Sequence, residues 1–272
     1  FYILRSIGAI SLFNKYLRNH DFAIFWACVI FITVTYIITT VADLSWNTLI
    51  FFSPWLASTN RYTAAVLDTE LIPAAEADSK WLMVVLHGLG DSMEGYRWLP
   101  EALGLPWLSY LLVNAPDEYH GGYSWYDFLD NPAPGVQRSR DALFELLDAQ
   151  RENGHPPGRI FQFGFSQGCL MTMEVAMRYP HQLAGCIGIS GYVHEPEVAL
   201  QELSPVAKEQ QILFTMGTYD PLIPAEKVKG QLNLLKADGG LQIEPHEFAK
   251  DHTIAGEEEL AIIRDFVQQQ KA

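Results

Sequence analysis

From residue 64 onward, short apolar runs alternate with amphipathic stretches. Residues 66–72 read as a short strand. The unbroken apolar run 81–86 reads as a strand buried on both faces. Residues 94–103 carry helical spacing, closed by Gly104 and Pro106. Residues 110–113 predict a further strand, and 121–134, dense in aromatics and turn residues, a loop. Residues 136–153 are amphipathic at a helical period, and Gly154 with Pro156 and Pro157 stops them. An apolar run from 159 leads through a glycine-flanked turn into a helix that ends at Tyr179 and Pro180. Runs 183–189 and 211–216 predict strands, as does the alternating stretch 241–248. Residues 224–238 and 257–270 predict helices. Strands alternating with helices imply an α/β domain around a mostly parallel sheet. One such domain, 64–272, accounts for all of these elements, with no internal repeat.

The first 63 residues follow a different pattern. Residues 22–42 contain no charge. As a helix they extend about 31 Å, enough for a bilayer core. Arg5, Lys15 and Arg18 precede the run, and Arg61 follows it. By the positive-inside rule a true span places the amino terminus in the cytoplasm and the larger domain outside. The run is too long for a cleaved signal peptide. It is also rich in β-branched residues, and no methionine occurs before Met83. Two readings therefore stand side by side: a membrane anchor, or sequence that is not part of the natural product. On the second reading the catalytic domain is expected in the cytoplasm.

Charge sharpens that boundary. The formal net charge is −14, yet residues 1–63 set four basic side chains against only Asp21 and Asp43, so the acidity lies entirely beyond them. An acidic surface argues against nucleic acid as a partner. The sparse, odd set Cys28, Cys169 and Cys186 gives no disulfide framework.

The candidate chemistry centres on Gly164-Phe165-Ser166-Gln167-Gly168. A G-x-S-x-G pattern between a strand and a helix is the context of a nucleophile elbow. The serine sits on a sharp turn, and the positions two residues away on each side crowd together, which only glycine allows. Serine becomes a nucleophile when an imidazole oriented by a carboxylate takes its proton. His252 lies in the loop after the last strand, where a base belongs in such sheets, whereas His246 falls on the polar side of that strand, with Glu244. Asp220 follows the strand 211–216 and is fixed by Pro221, while Asp238 and Asp251 read as surface carboxylates. An oxyanion hole needs two backbone N–H groups. The residue after the nucleophile, Gln167, supplies one, acting through its backbone rather than its side chain. Leu89, between Gly88 and Gly90, supplies the other. No metal-ligand spacing and no dinucleotide fingerprint is present.

Jointly, Leu86-His87-Gly88-Leu89-Gly90-Asp91, Gly164 to Gly168, Gly217-Thr218-Tyr219-Asp220-Pro221-Leu222-Ile223-Pro224 and His252 resemble the phospholipase/carboxylesterase family of α/β-hydrolases, which includes acyl-protein thioesterases. The resemblance spans about residues 64–272. It implies a compact α/β-hydrolase with little or no lid, no cofactor, a triad on Ser166, Asp220 and His252, and oxyanion donors on Leu89 and Gln167. Two departures stand out: Cys169 replaces a usual glycine, and Asp251 replaces the glycine before the histidine. Cys169 is expected to pack rather than react. Tyr123, Trp125, Leu222 and Ile223 are expected to line an apolar acyl pocket, in a chain with no basic cluster for a phosphate head group. The leading expectation is a serine esterase for short-to-medium acyl esters. A thioesterase on acylated proteins, or a lysophospholipase, is the nearer alternative. A non-catalytic, membrane-tethered binding protein is the alternative of another class, favoured if a fluorophosphonate fails to label Ser166.

Overall fold

The computed structural model describes residues 67–271. The candidate span 22–42, Cys28 and the boundary expected at 63/64 lie outside the described residues. Among the described residues no helix is long and apolar enough to cross a membrane.

A seven-stranded sheet forms the centre. Its strands are β1 (Thr69–Ile72), β2 (Trp81–Leu86), β3 (Leu108–Val113), β6 (Ile160–Phe165), β7 (Gly185–Ile189), β8 (Gln211–Gly217) and β9 (Gln242–Phe248), in the order β1-β3-β2-β6-β7-β8-β9. Only β1 runs antiparallel, against β3; the pairings β2–β3, β2–β6, β6–β7, β7–β8 and β8–β9 are parallel. The central strands are apolar on both sides because both faces are covered. One core gathers Leu82, Val84, Leu86, Met171, Val175 and Phe214. The other gathers Met83, Val85, Leu112, Phe163, Ile187 and Ile263.

The helices are α1 (Leu99–Leu103), α2 (Pro132–Glu152), α3 (Gln167–Arg178), α4 (Pro196–Gln201), α5 (Ala225–Ala237) and α6 (Glu257–Lys271), and a two-stranded hairpin joins β4 (Asp117–Tyr119) to β5 (Gly122–Ser124). The helix expected over 94–103 is split into a 3-10 turn, Met93–Tyr96, and α1. Pro100 explains the break. It has no N–H for a helical bond to Tyr96 and its ring would meet that carbonyl, but it is tolerated in the first turn of a new helix. Helix α2 starts four residues before the expected 136, because Asn131 accepts the Ala133 N–H at 3.2 Å and Pro132 opens the first turn. Within the stretch 117–124 the chain folds back on itself. His120 and Gly121 both have positive φ, as a two-residue hairpin turn requires.

Candidate active site

Ser166 stands at the carboxyl end of β6 with φ 54° and ψ −113°, a strained conformation for a residue with a Cβ. Its surroundings hold it there. The Ser166 N–H donates to the Ile189 carbonyl at 2.9 Å, and the Leu170 N–H returns to the Ser166 carbonyl at 3.2 Å. The flanking glycines are sterically required. A Cβ on Gly164 would lie 2.1 Å from the Gly168 carbonyl oxygen, and one on Gly168 would lie 2.4 Å from that of Leu86.

The end of β8 and the loop after β9 bring the other two groups to the serine. Backbone bonds from Thr218 N–H to the Phe248 carbonyl (2.9 Å) and from Tyr219 N–H to the Lys250 carbonyl (3.0 Å) zip these segments together. His252 Nε2 lies 2.9 Å from Ser166 Oγ, and His252 Nδ1 lies 2.7 Å from Asp220 Oδ2. A carboxylate only accepts, so Nδ1 carries the proton and Nε2 offers its lone pair to the serine hydroxyl. Asp220 is buried, and its Oδ1 accepts the N–H groups of Leu222 and Ile223, both at 2.9 Å. Burial alone would raise its pKa. The hydrogen bonds from His252, Ile223 and Leu222 outweigh that and hold it below the ordinary carboxylate value. His246 instead meets Glu244 at 2.7 Å, on the polar side of β9.

The N–H groups of Leu89 and Gln167 have no partner among the described residues. Several contacts set the Leu89 loop. A Cβ on Gly88 would lie 3.3 Å from Ser166 Cβ, so this backbone runs against Ser166. Gly90 N–H donates to the Tyr123 carbonyl (2.8 Å), and Tyr123 N–H to the Asp91 carbonyl (2.9 Å). His87 is fully buried. It accepts the Ala115 N–H on Nε2 at 3.0 Å, so its Nδ1–H faces the Gly88 carbonyl at 2.6 Å. Desolvation lowers its pKa, in keeping with a neutral ring.

Three features differ from the expectations above. Gln167 also acts through its side chain: Oε1 accepts the Trp125 N–H at 2.9 Å, and Nε2 donates to the Tyr126 carbonyl at 3.0 Å. It thereby fastens the 124–126 segment to the elbow. Trp125 is fully buried, with its indole N–H on the His87 carbonyl at 3.0 Å. It offers no surface to a pocket and braces the Leu89 loop instead. Leu222, at 69 % exposure, stands in solvent, while Tyr123 and Ile223 are half-buried against the core. Cys169 is buried against Gly188 and Gly191, and burial pushes its thiol far above the ordinary range.

Sequence reasoning missed the support beneath His252. Glu259, fully buried in the first turn of α6, binds Lys250 Nζ at 2.6 and 2.9 Å, accepts the Ala255 N–H at 2.6 Å, and accepts the Thr215 hydroxyl. Three consecutive glutamates, 257–259, gave no sign of which one turns inward.

Residues 67–271 match the model of the family described as Phospholipase/Carboxylesterase. Acyl-protein thioesterase 1 of Schizosaccharomyces pombe is 34% identical over 156 residues, covering 53% of this chain and 70% of that protein. Acyl-protein thioesterase 1 of Debaryomyces hansenii is 27% identical, covering 73% of this chain and 97% of that protein. Among solved structures, the crystal structure of esterase PE8 superposes with a TM-score of 0.64 at 26% identity, covering 75% of this chain and 98% of that one.

Proposed function

The chain belongs to the phospholipase/carboxylesterase family, a serine hydrolase with the α/β-hydrolase fold, and from that premise we propose that Ser166, His252 and Asp220 are its catalytic triad and the N–H groups of Leu89 and Gln167 its oxyanion hole. The observation that carries this reading is the continuous hydrogen-bond relay from Ser166 Oγ through His252 to Asp220.

The reaction follows from the geometry. Ser166 Oγ attacks the acyl carbon while His252 Nε2 takes its proton. Asp220 holds the Nδ1–H and stabilises the imidazolium. The carbonyl oxygen becomes an oxyanion between two N–H groups, each worth about 3 kcal/mol in the transition state. The intermediate collapses, the bond to the leaving oxygen or sulfur breaks, and that atom takes the proton from Nε2. Water then repeats the sequence on the acyl-enzyme. Ser166→Ala should lower kcat by about 10⁶-fold; near-normal hydrolysis of a p-nitrophenyl ester by this variant would refute the assignment.

The substrate is an acyl ester of short-to-medium chain or the matching thioester. The thioesterase names of the two fungal relatives favour the second reading, with an acylated protein as the larger substrate. Matched oxygen and thio esters of one acyl chain, compared by kcat/KM, decide between them. Half-buried Tyr123 and Ile223 are the groups we assign to the acyl side. We assign the catalytic unit to the cytoplasm, a reading that its free thiols at Cys169 and Cys186 support.

A further inference from the structure

A groove of about 400 Å³ opens beside His252. Phe165, Thr253 and Ile254 wall it on the side of the nucleophile and base, and Asp91 and Trp98 on the side of the Leu89 loop. The Phe165 ring lies 5.1 Å from the imidazole. Trp98 is 41 % exposed, its inner side stacked on Tyr96 at 6.5 Å. An indole so open to solvent is a ready surface for a flat apolar group or a cation. The charge of the walls has one sign. Asp91 accepts the Ser92 N–H at 2.8 Å on one oxygen and forms no ion pair among the described residues. No lysine or arginine lines the groove. The nearby Arg97 is held by Glu70 through bonds of 2.9 and 2.6 Å.

Proton transfer fixes which half of a substrate meets this groove. His252 Nε2 delivers its proton to the leaving atom, so the leaving group departs on the His252 side of the acyl carbon. Tyr123 and Ile223 belong to other segments and do not line this groove. We propose that the groove is the leaving-group subsite, and that it takes an alcohol or thiol whose apolar body lies on Trp98 and Ile254 and which carries a positive charge toward Asp91. This rests on the triad assignment above. When the acyl–oxygen or acyl–sulfur bond breaks, its electron pair goes to that atom, which takes the Nε2 proton and leaves through the groove.

The test uses three octanoate esters of benzyl alcohols that differ only in the para substituent: trimethylammonio, tert-butyl or sulfonate. Steady-state kcat/KM is measured for each on the full chain, and decay of the octanoyl-enzyme is followed after a burst. The expected order is cation, then neutral, then anion, with about tenfold between the extremes. Trp98→Ala should lower kcat/KM for all three esters about fivefold, and Ile254→Ala should lower it for all three as well. Asp91→Asn should remove about threefold of the preference for cation over anion. The octanoyl-enzyme is the same species whichever ester formed it, so its decay should keep the wild-type rate in Trp98→Ala and Asp91→Asn. Preference for the sulfonate, an unchanged kcat/KM in Trp98→Ala, or a slowed decay would overturn the subsite. Failure of every ester to acylate Ser166 would instead refute the triad assignment, and the subsite with it.

Discussion

Ser166 shows how a single backbone conformation depends on residues that carry no chemistry. Its positive φ is sustained by glycines at 164 and 168 and by the Ile189 carbonyl. Gln167 is the neighbour whose role widened most. Its backbone N–H was legible from the motif, whereas its buried amide side chain finds partners 41 and 42 residues away in sequence. Gln167→Ala keeps the main-chain N–H of residue 167 but leaves the Trp125 N–H without an acceptor and the Tyr126 carbonyl with the Ser124 hydroxyl alone. It should cost about 1–3 kcal/mol in urea unfolding, with a smaller loss of kcat than Ser166→Ala; unchanged stability would show that these bonds contribute nothing. Asp220 gives a pH prediction. Its pKa is depressed in the folded state, so its stabilising contribution is complete above the unfolded value of about 3.9 and is lost as pH falls through the lower folded value. The part of the stability gap between wild type and Asp220→Asn that comes from the ionisation of Asp220 should therefore shrink below about pH 4. Any loss of activity above that pH must come from another group. Asp220→Asn itself should reduce kcat by about 10⁴-fold.

At the scale of elements, the loop between β9 and α6 carries His252, and Glu259 anchors it from beneath. Lys250 and Glu259 form a buried pair, and removing one partner of such a pair typically costs about 3–5 kcal/mol. Glu259→Ala should lose that much in denaturant unfolding. It should also lower kcat more than it raises KM, since the Ala255 N–H and Thr215 hydroxyl lose their acceptor as well. A variant of wild-type stability would exclude this anchor. Periodicity marked α6 as amphipathic but could not distinguish Glu259 from its two neighbours, because inward rotation of a carboxylate depends on a lysine nine positions away. The hairpin β4–β5 escaped for a related reason. Strands of three residues are too short to show alternation, and their pairing partner outside the hairpin is the Gly90–Asp91 backbone.

At the scale of the molecule, the described residues make one seven-stranded sheet with two covered faces, beside the small β4–β5 hairpin. The expectation that follows is that a protein comprising residues 64–272 folds cooperatively and hydrolyses esters with the kcat of the full chain. Thermal unfolding and ester turnover of the two proteins check it, and a large deficit in the shorter one would assign residues 1–63 a part in folding or catalysis. The site itself exists only at this scale. Ser166, Asp220 and His252 follow β6, β8 and β9, whose carboxyl ends are aligned because parallel pairing puts them at the same edge.

The sequence by itself determined the seven strands of the central sheet and the helices α2, α3, α5 and α6 between and after them, the elbow, and the identities of the three residues that meet there. Each depends on a local signal: apolar runs, glycine spacing, or a loop following a strand. The tertiary structure alone decided that Trp125 is a buried brace rather than a pocket wall, that Gln167 staples a loop, that Glu259 turns inward, and that a groove without basic residues opens beside His252. These features depend on contacts between distant segments. A side chain's burial and partners are fixed only when the sheet brings its neighbours to it, and no local pattern of apolar and polar positions records which neighbours those are.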